Sequence, residues 1–369
     1  MLIPFIISRF RRKRTPPPDP PALPGEEFVG NIKDSFAAHP ITPILMSIEY
    51  QGTPRTPPRP TNLIVTLWPT FPHFHRFAND PRIQGIRLNS AMMDASEIDD
   101  DFEHAVEETS VPLWFDIKAM QLRITNLVCG MDCDHLKIRL NRPIQCDTPT
   151  PVWFKAGEDC ALLDHIEDDV LVFDGGPAME VRVGESIHIR NPELKVGGPV
   201  ITPTELEKIQ KAMSLGFTRF YLSYVYDQTH IDAFRNVVGP DADIILKIEN
   251  KWGLHWTQDH FQPQPNTHLC AARGDLFVEI DRPHEIMSAC RTILKKDPDA
   301  IVGSRMLLSC VHDDVPSCAD LNELAWLYDT GFSSFLLCDE LCLKEDLLAM
   351  AVDIFDEFRG EYILNPTTW

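Results

Sequence analysis

Short apolar runs alternate with stretches of helical periodicity along most of this chain. The runs at 63–67, 85–88, 113–116, 219–225, 243–248, 269–272, 300–303 and 335–337 are nearly continuous in apolar residues, as parallel strands buried on both faces require. Helical patterns at 97–107, 203–215, 283–294, 318–328 and 343–358 follow many of them. Eight such units predict an α/β fold, a (β/α)8 TIM barrel. One interval breaks the rhythm. Between Arg123 and Val200 the pattern turns to short alternating segments at 135–140, 170–173, 179–183 and 186–190, separated by Gly, Pro and Asp. This predicts a small all-β lid inserted over 124–199, after the third barrel strand, with the barrel itself built from 61–123 and 200–369. Residues 1–60, with proline runs at 16–24 and 54–60, read as a largely disordered arm with one helix candidate at 31–38.

Composition narrows the classes of function. The chain has 369 residues, 44% of them hydrophobic, enough for a barrel-sized core. A net charge of −21 argues against nucleic acid as a partner, because a phosphate backbone needs a basic footprint. The 10 cysteines lack the spacing of a disulfide framework and read as reduced thiols, which points to the cytoplasm. No apolar run approaches the ~18 residues of a membrane span. The basic run Arg9, Arg11, Arg12, Lys13 and Arg14, with no acid before Asp19, leaves a mitochondrial presequence as the alternative address, although Pro16-Pro17-Pro18 would end its helix early.

The chemistry concentrates between 243 and 280. Lys247 and Glu249 sit two apart at the end of an apolar run, so on a strand they share one face. Asp275 follows Arg-Gly after the next run. Two carboxylates suit a hard divalent cation such as Mg²⁺ or Mn²⁺, which completes its shell with substrate phosphate and water. A lysine beside them suits a phosphoryl group that carries charge in its transition state. Taken alone, a Lys-x-Glu pair at a strand tip is more often an ion pair of little consequence.

Four segments resemble the pyruvate kinase family, in that family's order: Arg87-Leu88-Asn89; 116–123, which keeps the spacing of Asp-Thr-Lys-Gly-Pro-Glu-Ile-Arg; Lys247-Ile-Glu-Asn with Ala-Arg-Gly-Asp275; and Gly303-Ser304-Arg305-Met306-Leu307. The resemblance spans about 61 to 359 and implies phosphoryl transfer from phosphoenolpyruvate to ADP, giving pyruvate and ATP, the glycolytic step. It implies that Glu249 and Asp275 bind Mg²⁺ and that Lys247 stabilises the transferring group. It further implies that Gly274 lets the backbone approach the substrate carboxylate, that Ser304 helps to deliver a proton, and that Arg87 faces the phosphate. Asn89 and Arg123 would serve the nucleotide. Asn89 and Asp116 would hold K⁺, a site weakened here because Ala91 stands where the family has a serine. Lys195 is the candidate for the family's lid lysine.

Other departures fall on the nucleotide side: Met92-Met93 in the loop after the second strand, Ala119-Met120-Gln121, and Tyr226 in place of an arginine. The family's C-terminal domain has no counterpart within the sequence, and homo-oligomerisation stays open. These changes carry an alternative reading, a catalytically impaired paralogue that binds ligand or serves assembly. A third reading, an aldolase or lyase of the same barrel class, does not account for the lid. His73-Phe74-His75 lacks a third metal ligand. Cys129/Cys133 and Cys338/Cys342 read as small thiols, and 99–101 as a solvated helix start. Arg87 with Asp116 has a purely structural reading as an ion pair, and Ser304 one as a strand-end hydroxyl bonded to backbone.

Overall fold

The computed structural model describes residues 59–130, 134–313 and 315–364. The strands in chain order are β1 (Asn62–Thr66), β2 (Gly85–Asn89), β3 (Leu113–Ile117), β4 (Ile124–Cys129), β5 (Lys137–Leu140), β6 (Ile144–Gln145), β7 (Thr150–Phe154), β8 (Asp159–Glu167), β9 (Val170–Asp174), β10 (His188–Ile189), β11 (Lys195–Val196), β12 (Arg219–Leu222), β13 (Asp243–Ile248), β14 (Thr267–Ala272), β15 (Ile301–Gly303) and β16 (Ser334–Leu336). β1, β2, β3 and β12 to β16 form one closed parallel barrel, sealed by β1 against β16 with Asn62 opposite Ser334. The fold is the (β/α)8 barrel that the alternation of apolar runs and helical periods predicts. Between β3 and β12 lies an antiparallel six-stranded sheet in the order β10-β7-β8-β9-β5-β4, with the pair β11-β6 beside it. Its own core includes Ile138, Val152, Phe154, Leu163, Phe173 and Ile189.

Side-chain alternation sets what the barrel presents at its mouth. On β13, Ile244, Leu246 and Ile248 pack outward into the core shared with the helices, while Ile245 turns into the barrel with Tyr221, Cys270 and Ile301. Lys247 and Glu249 follow Ile245 on the inward face, toward the C-terminal end. The same rule turns Arg87 inward between outward Ile86 and Leu88, and Asp116 inward between outward Phe115 and Ile117. A barrel strand thus spends its lower inward positions on packing and its last ones on charge.

Several expected elements differ. The strand expected over 219–225 ends at Leu222, and Tyr224 adopts a φ of 50°, which takes the chain out of the sheet. The strand expected at 179–183 does not form. Met179 N–H donates to Asp159 and Gly184 N–H to the Ile124 carbonyl, so loop contacts replace ladder pairing there. The strand expected at 186–190 shortens to His188–Ile189, with an isolated bridge from Ser186 to Arg123. Cys129 is disulfide-bonded, against the expectation of a thiol, whereas Cys338 and Cys342 are free and buried. His73 and His75 do not converge: His73 Nε2 meets the Cys342 carbonyl at 3.0 Å, and His75 pairs with Glu108. The N-terminal arm and its helix candidate at 31–38 lie outside the described residues. Among the described residues, no helix is long and apolar enough to cross a membrane.

Candidate active site

The inward residues at the C-terminal ends of β2, β3, β12 and β13 meet around one carboxylate. Asp116 is fully buried, and its Oδ2 lies 2.8 Å from Arg87 Nε, 2.9 Å from Lys118 Nζ and 3.3 Å from Lys247 Nζ. Its Oδ1 accepts from Ser223 Oγ at 2.9 Å. Burial alone would raise the Asp116 carboxyl, but Lys118, Lys247 and Arg87 outweigh it and hold the group well below the usual carboxylate range. The structural reading of Arg87 with Asp116 therefore describes a real ion pair. It does not exhaust Arg87, which also contacts Asp339 at 3.2 Å and donates to Thr66 Oγ1 at 3.2 Å.

Lys247 links this carboxylate to the next. Its Nζ lies 3.0 Å from Glu249 Oε1 and donates to Ser223 Oγ at 2.9 Å. Burial would lower the lysine, but Asp116 and Glu249 reverse the shift and keep it charged. Glu249 Oε2 accepts the Tyr224 N–H at 2.7 Å. Its carboxyl is nonetheless pushed up by burial, with the charge of Asp275 adding to the effect and Lys247 opposing it. Asp275 thus acts on Glu249 as a nearby like charge, one that a bound cation would offset.

Asp275 is not on a strand. It sits in the first turn of the helix Arg273–Glu279 that follows β14. Its Oδ2 accepts from Gln121 at 3.0 Å, and its Oδ1 faces His188 Nε2 at 3.4 Å. Gly274 packs against Ser304: a Cβ there would lie 3.3 Å from both Cβ and Oγ of the serine. Ser304, Arg305 and Leu307 adopt φ values of 65°, 65° and 57°, a left-handed segment that non-glycine residues enter only when their surroundings hold them there. Arg273 holds it by donating to the Ser304 carbonyl at 2.6 Å, and Arg305 donates to the Gly274 carbonyl at 3.3 Å. No hydrogen bond involves the Ser304 hydroxyl among the described residues, so the strand-end reading of that group is not what the geometry favours.

The remaining candidates lie around the rim. Asn89 Oδ1 accepts the Ala91 N–H at 3.1 Å and its Nδ2 donates to Asp339 at 3.0 Å. Arg123 donates to Gln121 at 2.7 Å and to the Gly184 carbonyl at 2.5 Å. A cavity of about 510 Å³ opens where barrel and lid meet, and its walls include Ala91, Lys118, Arg123, Arg142 and Lys208. Lys195 is exposed on β11, paired with Gln145.

Sequence reasoning missed three partners. Lys118 carried a findable signal, since it lies two residues after Asp116. Asp339, just past β16, had the same signal as Asp275: charge after an apolar run. His188 had none, because its burial between Glu279, Asp275 and Tyr224 depends on how the lid docks. Burial would lower His188, but the Glu279 hydrogen bond and the charges of Asp275 and Glu279 win and raise it.

No family model matches the chain. It is 22% identical over 308 residues to pyruvate kinase of Methanocaldococcus jannaschii, covering 76% of this chain and 65% of that one. It is 29% identical over 180 residues to pyruvate kinase of Agrobacterium vitis, covering 46% of this chain and 36% of that one. With pyruvate kinase of Mycobacterium intracellulare it shares 27% over 195 residues, half of this chain and 39% of the relative. The chain spans less than two thirds of the length of these relatives. The chain, with its barrel, its inserted antiparallel sheet and the charged cluster at its mouth, is thus similar in sequence to pyruvate kinases, at 22–29% identity.

Proposed function

We propose that the chain transfers the phosphoryl group of phosphoenolpyruvate to ADP, with Mg²⁺ or Mn²⁺ held by Glu249 and Asp275. The observation that carries this reading is the buried contact of Lys247 with both Asp116 and Glu249, which fixes a charged ammonium at the barrel mouth next to the carboxylate pair. Among the described residues no group of three or more His, Cys, Asp or Glu could form a metal cage by itself. Two carboxylates are nevertheless the number Mg²⁺ uses when substrate and water supply the rest. When bound, the ion would neutralise charge on the substrate phosphate and carboxylate.

The chain's own residues would do the following. Lys247 and Arg87 stabilise negative charge that develops on the transferring group and the enolate oxygen. Asp116 keeps both cations aimed and charged. The Gly274 backbone approaches the substrate carboxylate, and the Ser304 hydroxyl relays a proton to the enolate carbon. The cationic wall of the barrel–lid cavity, with Lys118, Arg123, Arg142 and Lys208, receives the phosphates of the nucleotide, near Asn89. Such a focus of positive charge in a chain of net charge −21 favours an anionic ligand at that mouth over the rest of the surface.

A second reading, a paralogue that binds without turnover, is favoured by one observation: the carboxylates meant for the ion already have protein donors, Tyr224 N–H on Glu249 and Gln121 on Asp275. Pyruvate release from phosphoenolpyruvate, ADP and Mg²⁺, measured for the purified chain beside Glu249→Gln, separates the two. Turnover lost in the variant supports the transferase. Phosphoenolpyruvate and Mn²⁺ binding with no turnover in either protein would replace it with the second reading.

A further inference from the structure

Arg87 turns all three of its guanidinium nitrogens toward protein oxygens. Nε lies 2.8 Å from Asp116 Oδ2, and Nη1 donates to Thr66 Oγ1 at 3.2 Å; both partners are buried in the barrel. Nη2 faces Asp339, which follows β16, at 3.2 Å from Oδ1 and 3.3 Å from Oδ2. The Asp116 side chain has no exposed surface, whereas 36% of the Asp339 side chain is exposed. Asp339 therefore reaches the guanidinium from the open side, the side from which a ligand would arrive. Its Oδ2 also accepts from Asn89 Nδ2 at 3.0 Å. Its Oδ1 is buried without a partner in hydrogen-bond geometry. The pair is thus not the two-armed fork that arginine and carboxylate form at their strongest, and Asp339 is the weaker of the two carboxylates on Arg87.

We propose that Asp339 is a built-in competitor for the phosphoryl group at Arg87: its carboxylate occupies the seat of that anion, and a ligand binds there only by displacing it. Naming the anion rests on the reading of Arg87 as the group that faces the phosphate; the occupancy of Arg87 by Asp339 does not. Charge and geometry favour the exchange. A phosphoryl group brings more negative charge than a carboxylate and three oxygens in place of one well-placed oxygen, so it can fill Arg87 Nη2 and Asn89 Nδ2 together. Arg87 need not move to receive it, because Asp116 and Thr66 hold the guanidinium from within the barrel. Asp339 thereby acts on specificity: an anion gains the seat only if it holds both donors better than a carboxylate does. The fraction of the chain with the seat open sets the apparent affinity, which is weakened by that factor.

Inorganic phosphate, titrated into the full chain and followed by phosphorus NMR line width, tests this without reading turnover. Asp339→Asn keeps the shape and removes the charge, and Asp339→Ala removes the oxygens as well. Both should bind phosphate about tenfold more tightly than the unsubstituted chain, the alanine variant at least as tightly as the asparagine one. Adding Arg87→Met to Asp339→Asn should abolish the gain, which separates this seat from the cationic wall at Lys118, Arg123, Arg142 and Lys208. Should Asp339→Ala fold poorly, Asp339→Asn decides, because Arg87 keeps Asp116 and Thr66 as partners. Phosphate affinity unchanged or weakened in Asp339→Asn overturns the competition, and so does a gain that survives Arg87→Met. A chain that forms no pyruvate but shows the gain keeps the competition and loses only the transferase reading. A chain that forms pyruvate without the gain does the reverse.

Discussion

Lys118 Nζ lies 2.9 Å from Asp116 Oδ2, on the carboxylate that the family resemblance assigns to K⁺. Its ammonium is buried, and burial is the main reason its pKa falls to about 8 even though Asp116 opposes the shift. A protein cation already stands where a monovalent ion would neutralise Asp116. The rate of pyruvate formation is therefore expected to be indifferent to K⁺ against a tetramethylammonium control. Lys118→Met should slow the reaction, since truncating one partner of a buried pair costs ~3–5 kcal/mol of local stabilisation, and K⁺ should then restore part of the loss. Stimulation of the unsubstituted chain by K⁺ would contradict this account of Asp116.

Gly274 and Ser304 form a close contact that leaves no room for a side chain. In Gly274→Ala the new Cβ would meet the Ser304 Cβ and Oγ at 3.3 Å, and Ser304 cannot move freely because Arg273 holds its carbonyl. The expected result is a tenfold or larger fall in kcat/KM, on the order of 1–2 kcal/mol, with a small change in the unfolding midpoint. Steady-state kinetics beside a thermal melt check it.

Gly253 is a separate, structural constraint. It lies in the helix Lys251–Asp259 directly after the Glu249 strand end, and a Cβ would fall 2.2 Å from the Val225 carbonyl oxygen. Because that neighbour is backbone, the helix itself must shift. Gly253→Ala should destabilise the chain by ~1–3 kcal/mol or more, read by urea denaturation, despite the better helix propensity of alanine.

At the N-terminal end of β14, His268 Nδ1 lies 3.5 Å from Asp297 Oδ2, which also accepts the Leu269 N–H at 2.7 Å. The Asp297 hydrogen bond raises His268 above its ordinary value, with burial opposing. A raised folded pKa gives stability that is fully present below the unfolded value of about 6.5 and is lost as pH rises through the folded value. The unfolding midpoint should therefore carry a component that declines just above pH 6.5, and His268→Gln should lack it. Because His268 is partly exposed, the component is small.

The barrel was legible because each of its strands is buried on both sides, so apolar runs and helical periods alternate without ambiguity. Period-2 spacing also placed Lys247 and Glu249 on one inward face, and the charge after β14 marked Asp275. What sequence could not supply was register between distant segments. Asp339 reaches Arg87 only when β16 closes on β1, and His188 reaches Glu279 only when the lid docks. Lid strands were the poorest predictions for a related reason. The segment 179–183 alternates like a strand, but Asp159 accepts the Met179 N–H at its start and the Ile124 carbonyl accepts the Gly184 N–H just past its end, in place of ladder partners.

The role proposed for Lys247, held by Asp116 and Glu249, is to stabilise phosphoryl transfer with its ammonium. Its most direct test is pyruvate formation from phosphoenolpyruvate and ADP with Mg²⁺ by the purified chain, run beside Lys247→Met. Turnover in the unsubstituted chain that falls by 10²-fold or more in the variant, at unchanged fold by circular dichroism, is the result expected for loss of a group that acts on transition-state charge. Equal turnover in both proteins, or none in either from a well-folded chain, would contradict it.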